Sequence, residues 1–165
     1  QVHGIGHSAQ QLARGQLTGR TTWRVEAAWL SAVPVTDSAG ALDTVDAINA
    51  VAGAEFYPGD RDLRVNLQVG ANVLLGPSSM LDRRRRYFAN GTLLYPFGGG
   101  RLEFETRFVL GLNARDVYVN PELRYLLLDA HQFYLAAHVF RGSEDTLGGF
   151  FHDNTGITLG WRANL

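Results

Sequence analysis

Residues 61–76 read Arg-Asp-Leu-Arg-Val-Asn-Leu-Gln-Val-Gly-Ala-Asn-Val-Leu-Leu-Gly, and this stretch decides the fold. Leu63, Val65, Leu67, Val69, Ala71, Val73 and Leu75 fall on one face of an extended chain; Arg64, Asn66, Gln68, Gly70 and Asn72 fall on the other. Side chains of a strand alternate between the two faces of its sheet, so a strict period of two marks one apolar and one polar side. Strands of globular proteins usually run about five or six residues. A strand that crosses an outer membrane needs roughly 9–11, tilted about 45°. The run is long enough to span, and it predicts a transmembrane β-barrel.

The same rhythm recurs. Eight period-two segments are marked at 21–35, 44–57, 62–76, 85–97, 101–113, 116–128, 131–142 and 153–165. In the fifth, Leu102, Phe104, Phe108, Leu110 and Leu112 oppose Glu103, Glu105 and Arg107; in the eighth, Ile157, Leu159, Trp161, Ala163 and Leu165 oppose Thr158, Gly160, Arg162 and Asn164. Connections alternate too. Those at 58–61, 98–100 and 128–131 are tight, and those at 36–43, 77–84 and 142–153 are longer, as short periplasmic turns and longer external loops require. The connection at 113–115 breaks this trend by being short. The expected fold is therefore all-β: an antiparallel up-and-down barrel of about eight strands over residues 21–165. Residues 1–20, rich in Gln, Gly and His, fall outside the pattern and are expected to form a periplasmic tail or an inner plug. Pro121, in the middle of the sixth strand, opposes the scheme, because a closed barrel has no free edge for proline.

Composition sets further bounds. The 165 residues suit one domain. No stretch approaches 18 consecutive apolar residues, which excludes a membrane-spanning helix, while a near-zero mean hydropathy suits alternating strands. The net charge of −1 gives no general case for nucleic acid. With no cysteine there is neither a disulfide framework nor a thiolate metal site. All fifteen basic residues are arginine, whereas a soluble β-protein usually covers its edges with lysine. A start at Gln1 without a signal peptide is expected of an exported protein after cleavage, and equally of a trimmed chain.

If the apolar set faces lipid, the opposite set fills the lumen. An eight-stranded barrel is wide enough only for its own side chains. The expected lumen network is Arg24, Glu26, Glu55, Arg64, Glu103, Glu105, Arg107, Glu122, Arg124 and Arg162, with Asn49, Asn66, Gln68, Asn72, Asn90, Asn120 and Thr158 among them. Five arginines meet five glutamates. Buried charges need partners, and the planar guanidinium fork suits carboxylates. The inverse reading is a soluble, lipocalin-like barrel that carries an apolar ligand and turns its Arg/Glu face to water. Two features favour the membrane form. Gly53, Gly70, Gly111, Gly156 and Gly160 lie on the polar face, where a crowded lumen needs small residues. Trp23, Phe56, Tyr95, Phe97, Phe104, Phe133 and Trp161 cluster at the short-turn ends like an interfacial girdle.

On this pattern, residues 21–165 resemble the small eight-stranded bacterial outer-membrane barrels. The last strand, Gly156-Ile-Thr-Leu-Gly-Trp-Arg-Ala-Asn-Leu165, is similar to the terminal strand that the assembly machinery of that group recognises, although it ends in leucine rather than phenylalanine or tryptophan. Phe150-Phe-His-Asp-Asn154 resembles the ends of larger porin-like barrels. The resemblance implies an outer-membrane location in a Gram-negative-type envelope. It implies a scaffold, an anchor or a subunit of a cell-surface complex; a narrow pore or a lipid-handling barrel is the alternative.

Four loop arginines, Arg83, Arg84, Arg85 and Arg86, are expected at the cell-surface end, where they would clamp lipopolysaccharide phosphates or remain solvated. Some barrels of the resembled group modify lipid A with serine and histidine near the outer rim. Here Ser143, Asp145, His152 and Asp153 share one loop, but no spacing among them matches a catalytic motif, and no enzyme is expected. His138 is expected to be a satisfied lumen or core residue. Gln1-Val2-His3 and the pair His3/His7 are weak metal candidates, and neither a metal nor another cofactor is expected.

Overall fold

The computed structural model describes residues 10–18, 21–59, 62–77, 80–128 and 131–163. Eight strands lie close to the expected segments: β2 (Thr21–Thr36), β3 (Leu42–Phe56), β4 (Arg64–Leu75), β5 (Arg85–Phe97), β6 (Leu102–Gly111), β7 (Asp116–Leu128), β8 (His131–Arg141) and β9 (Gly156–Ala163). A further strand, β1 (Gln10–Thr18), precedes them. All join one antiparallel sheet in sequence order, and among the described residues the helical pieces are a single turn α1 (Leu147–Phe150) and a 3-10 turn at 152–154.

Two corrections follow. Residues 10–18, expected within a tail or plug, pair along their whole length with β2, from Gln10↔Trp29 to Thr18↔Thr21. Their period is weak, with Gln10, Arg14 and Gln16 at positions where other strands carry apolar residues, so alternation does not mark them. The sheet is also open: β1 and β9 are its edges, and no pairing joins them among the described residues.

Register turns the sequence pattern into surfaces. One row across the sheet reads Trp23↔Ala54↔Leu67↔Gly91↔Phe108↔Val119↔Val139. The neighbouring row reads Thr22↔Glu55↔Asn66↔Thr92↔Arg107↔Asn120. The first row is on the apolar face and the second on the polar face, one residue out of step, as the pleat requires.

A β-bulge reshapes β2. The register slips by one residue between Leu30↔Ala47 and Val33↔Val45, and Ala32 takes a positive φ of 54°. The extra residue moves Val33 and Val35 onto the same face as Val45 and Leu30. There they join Ala47, Leu74 and Met80 in a small apolar core at the long-loop end of the polar face. Residues 80–82 lie against this core and the end of β2: Leu81 N–H donates to the Thr36 carbonyl at 2.9 Å, and Thr36 N–H donates to Asp82 Oδ2 at 2.7 Å. The loop end of the polar face is therefore apolar, and the charged residues lie in the middle and the short-turn half. At the opposite end the β5–β6 turn is Gly98-Gly-Gly100, and all three glycines have positive φ, a conformation that other residues adopt only with strain.

Candidate functional site

The polar face of β4–β9 gathers most of the expected charges. Arg124 on β7 is the hub: its guanidinium binds Glu103 and Glu105 of β6, and its Nε lies 2.7 Å from Glu122 Oε1 on its own strand. Arg107 Nε reaches Glu105 Oε1 at 2.7 Å. Arg162 on β9 crosses over β8 to within 3.5 Å of Glu122 and stacks its guanidinium 4.2 Å from the centre of the Tyr134 ring. Arg162 thus joins β7 and β9 on one face of the sheet, over the strand between them. That face forms a hollow. A recess of about 380 Å³ agrees, since its walls come from four successive strands: Arg64 and Asn66, Thr92 and Leu94, Glu103 and Glu105, and Arg124.

Arg64 and Glu55 form a separate pair across β3–β4 at 2.8 Å, and Tyr57 Oη donates to the same carboxylate at 3.1 Å. Arg24 lines a smaller recess with Glu55, Asn66 and Gln68. Glu26 stands opposite Val51 on the same face, one turn of the pleat further along β2. Six of the ten expected network residues thus form one cluster, and Arg64 and Glu55 form a second.

Burial is inverted relative to a soluble sheet. Glu105, Glu122 and Asn120 on the concave face are 8%, 5% and 4% exposed. On the convex face Val69 is 54% exposed, Leu135 48% and Leu159 78%. No large side chain is fully buried among the described residues.

Glycines permit the crowding. A Cβ on Gly70 would strike the ring of Phe88, and one on Gly160 would strike the ring of Tyr134, each the cross-strand partner of its glycine. Gly53 is covered in the same way by Gln68, at 2.9 Å, and Gly111 by Asp116, at 2.7 Å. Gly156 differs from the expectation: it meets almost nothing.

The β7–β8 wall is aromatic toward the loops. Tyr118 stacks on Phe140 with ring centres 4.5 Å apart, and Phe140 meets Phe151 at 5.7 Å. His138 is satisfied, with Nδ1 3.1 Å from Tyr118 Oη and 3.4 Å from Asn120 Nδ2. Tyr118 and Phe88 are inner-face residues that alternation alone did not single out. For Phe88 a readable signal is present, since register sets it between two strand glycines, Gly70 and Gly111; Tyr118 has none of that kind.

The four loop arginines do not act together. Arg83 turns to the neighbouring loops, 2.5 Å from Asp145 Oδ2 and 3.3 Å from the Asn113 carbonyl. Arg86 lines a cavity of about 270 Å³ with Phe88, Val109 and Leu147 on the concave side. Arg85 stands at the register position opposite Val73, on the convex side, and Arg84 and Arg85 are exposed.

The loop residues considered for catalysis are also separated. His152 Nδ1 lies 3.3 Å from Asp153 Oδ1, Asp145 is held by Arg83, and the Ser143 carbonyl accepts from Thr146. Among the described residues no group of three or more His, Asp or Glu side chains is placed to hold a metal. Gln1, Val2, His3 and His7 lie outside the described residues.

Comparison with protein-family models, curated proteins and solved structures finds no match to this chain. Its function is read from the sheet itself.

Proposed function

We propose that the chain is a membrane-embedded β-barrel of the bacterial outer-membrane type, a non-catalytic scaffold or anchor whose loops carry its specificity. One observation carries this reading: the charged face is concave and buried while the apolar face is convex and exposed. In water an extended apolar surface of this size is an aggregation hazard or a contact surface. In a bilayer it is the face that lipid covers, and it is flanked by interfacial aromatics.

The aromatic belt supports the same orientation. Trp23, Tyr95, Phe104, Phe133 and Trp161 are exposed at the short-turn ends of five strands, and Tyr125 adds a sixth that the sequence reading left out. Trp29 and Tyr87 are exposed toward the loops. Between Tyr87 and Tyr95 the strand advances about 27 Å at roughly 3.4 Å per residue, and its tilt lowers the height further, which suits an apolar band about 25 Å tall.

A scaffold is favoured over a pore because the concave side is obstructed twice, by the Arg124 cluster in its middle and by the Val35–Val45–Ala47–Leu74 core at the loop end. A soluble carrier of an apolar ligand needs its apolar face inside, opposite to this arrangement. Arg85, exposed at a convex-face register position, is the arginine suited to lipid phosphate.

Gel mobility in SDS with and without boiling, on protein from the membrane fraction, tests the barrel. A heat-dependent shift supports it. An unshifted protein in the soluble fraction overturns it. Single-channel recording tests the blocked lumen, and stable large-conductance steps would overturn that part.

A further inference from the structure

We infer that β1 and β9 compete for one edge of β2, and that the membrane form is an eight-stranded barrel in which β9 holds that edge and β1 is released. The inference rests on the membrane-barrel reading. In a meander, strand direction alternates, so β1 and β9, eight steps apart, run parallel, while β2 and β9 run antiparallel. Closing all nine strands would require a parallel seam in a sheet that is otherwise antiparallel. Closing β2 to β9 gives an antiparallel seam and an even count, the form taken by single-chain barrels.

The residue pattern selects the same strand. The observed register sets Gln10, Leu12, Arg14 and Gln16 opposite Trp29, Ala27, Val25 and Trp23, which are the convex-face positions of β2. Three of these four register positions carry polar residues in the sequence, where the other strands carry apolar ones. β9 offers Ile157, Leu159 and Trp161 to that face, all strongly exposed, and Thr158, Gly160 and Arg162 to the concave one. Its outer edge has no partner among the described residues. Hydrocarbon does not tolerate an open sheet edge, because no water is present to satisfy the backbone groups. Transfer into the bilayer therefore favours the strand whose outward residues are apolar and whose edge is otherwise bare. While β1 is paired, the sheet is open.

The chain has no cysteine, so introduced pairs report cleanly. Val25→Cys is combined with Ile157→Cys, Leu159→Cys or Trp161→Cys, three outward positions that cover adjacent registers, and separately with Arg14→Cys, its present partner. Each full-length variant is inserted into phosphatidylcholine vesicles, checked for heat-shifted mobility, and treated with a short bismaleimide. The expected result is an intramolecular β2–β9 product and loss of the β1–β2 product. A persistent β1–β2 product in heat-shifted protein overturns the inference while leaving the barrel intact. So does a β9 link between two copies. Protein that never enters the vesicles fails the membrane reading itself. Trypsin supplies a readout without substitutions: in detergent micelles, heat-shifted wild-type chain should be cut after Arg14 with its barrel retained, and protection of Arg14 overturns the exchange.

Discussion

Asn120 supplies the hydrogen bond that Pro121 cannot. The β7–β8 ladder runs to Val119↔Val139 and resumes at Glu122↔Ala136, skipping Asn120 and Pro121. Proline has no N–H to donate. In its place Asn120 Nδ2 donates to the Ala137 carbonyl at 2.8 Å. This is how a proline sits in the interior of a sheet without a bare carbonyl, and it removes the objection that Pro121 raised in the sequence.

The substitution Asn120→Ala should leave that buried carbonyl unpaired and destabilise the protein by about 1–3 kcal/mol. Adding Pro121→Val restores a backbone donor and should recover much of the loss. A double-mutant cycle by urea unfolding in detergent checks this. Additive losses would show that the two residues are independent.

Arg124 is a heavier dependency. Its removal in Arg124→Met leaves Glu103, Glu105 and Glu122 facing one another with their shared cation gone. Breaking a buried ion pair from one side costs about 3–5 kcal/mol. Arg124→Lys should recover only part, because a single ammonium does not reproduce the guanidinium fork. Unfolding midpoints of the three proteins, compared at equal ionic strength, test the order wild type, Lys, Met.

The glycine–aromatic pairs predict a paired rescue. Gly160→Ala pushes a methyl group into the Tyr134 ring and should cost roughly 1–3 kcal/mol, as overpacking does. Tyr134→Ala in the same chain frees the space, so the double variant should lose less than the sum of the two single losses. Unfolding curves for the four proteins check it.

The Arg83–Asp145 bridge ties the loop at 76–84 to the loop that carries α1, but it is partly exposed. Such pairs contribute about 0–1 kcal/mol. Asp145→Asn should leave the unfolding midpoint nearly unchanged and speed proteolysis within residues 142–155. A large fall in the midpoint would mean that the loops brace the sheet.

Strand positions were legible because alternation is a local signal: β5 and β7 match the expected bounds at both ends, and the Arg124 cluster follows from parity on β6, β7 and β9. Two features were not legible. The Val35–Val45 core depends on the Ala32 bulge, which reverses the facing of β2; Pro34, two residues on, is its one sequence signal, and it does not say which residue is the extra one. The separation of the four loop arginines depends on where β5 begins, since one residue decides which side of the sheet each arginine joins. The strand at 10–18 was missed because pairing, not patterning, makes it a strand.

All three tryptophans, Trp23, Trp29 and Trp161, sit exposed on the convex face, and their fluorescence reports directly on what that face touches. The protein should be inserted into vesicles containing lipids brominated at graded acyl depths, with aqueous iodide as the opposing quencher. The account predicts strong quenching by the brominated lipids and weak quenching by iodide. Tryptophans that iodide quenches and brominated lipids leave untouched would contradict it.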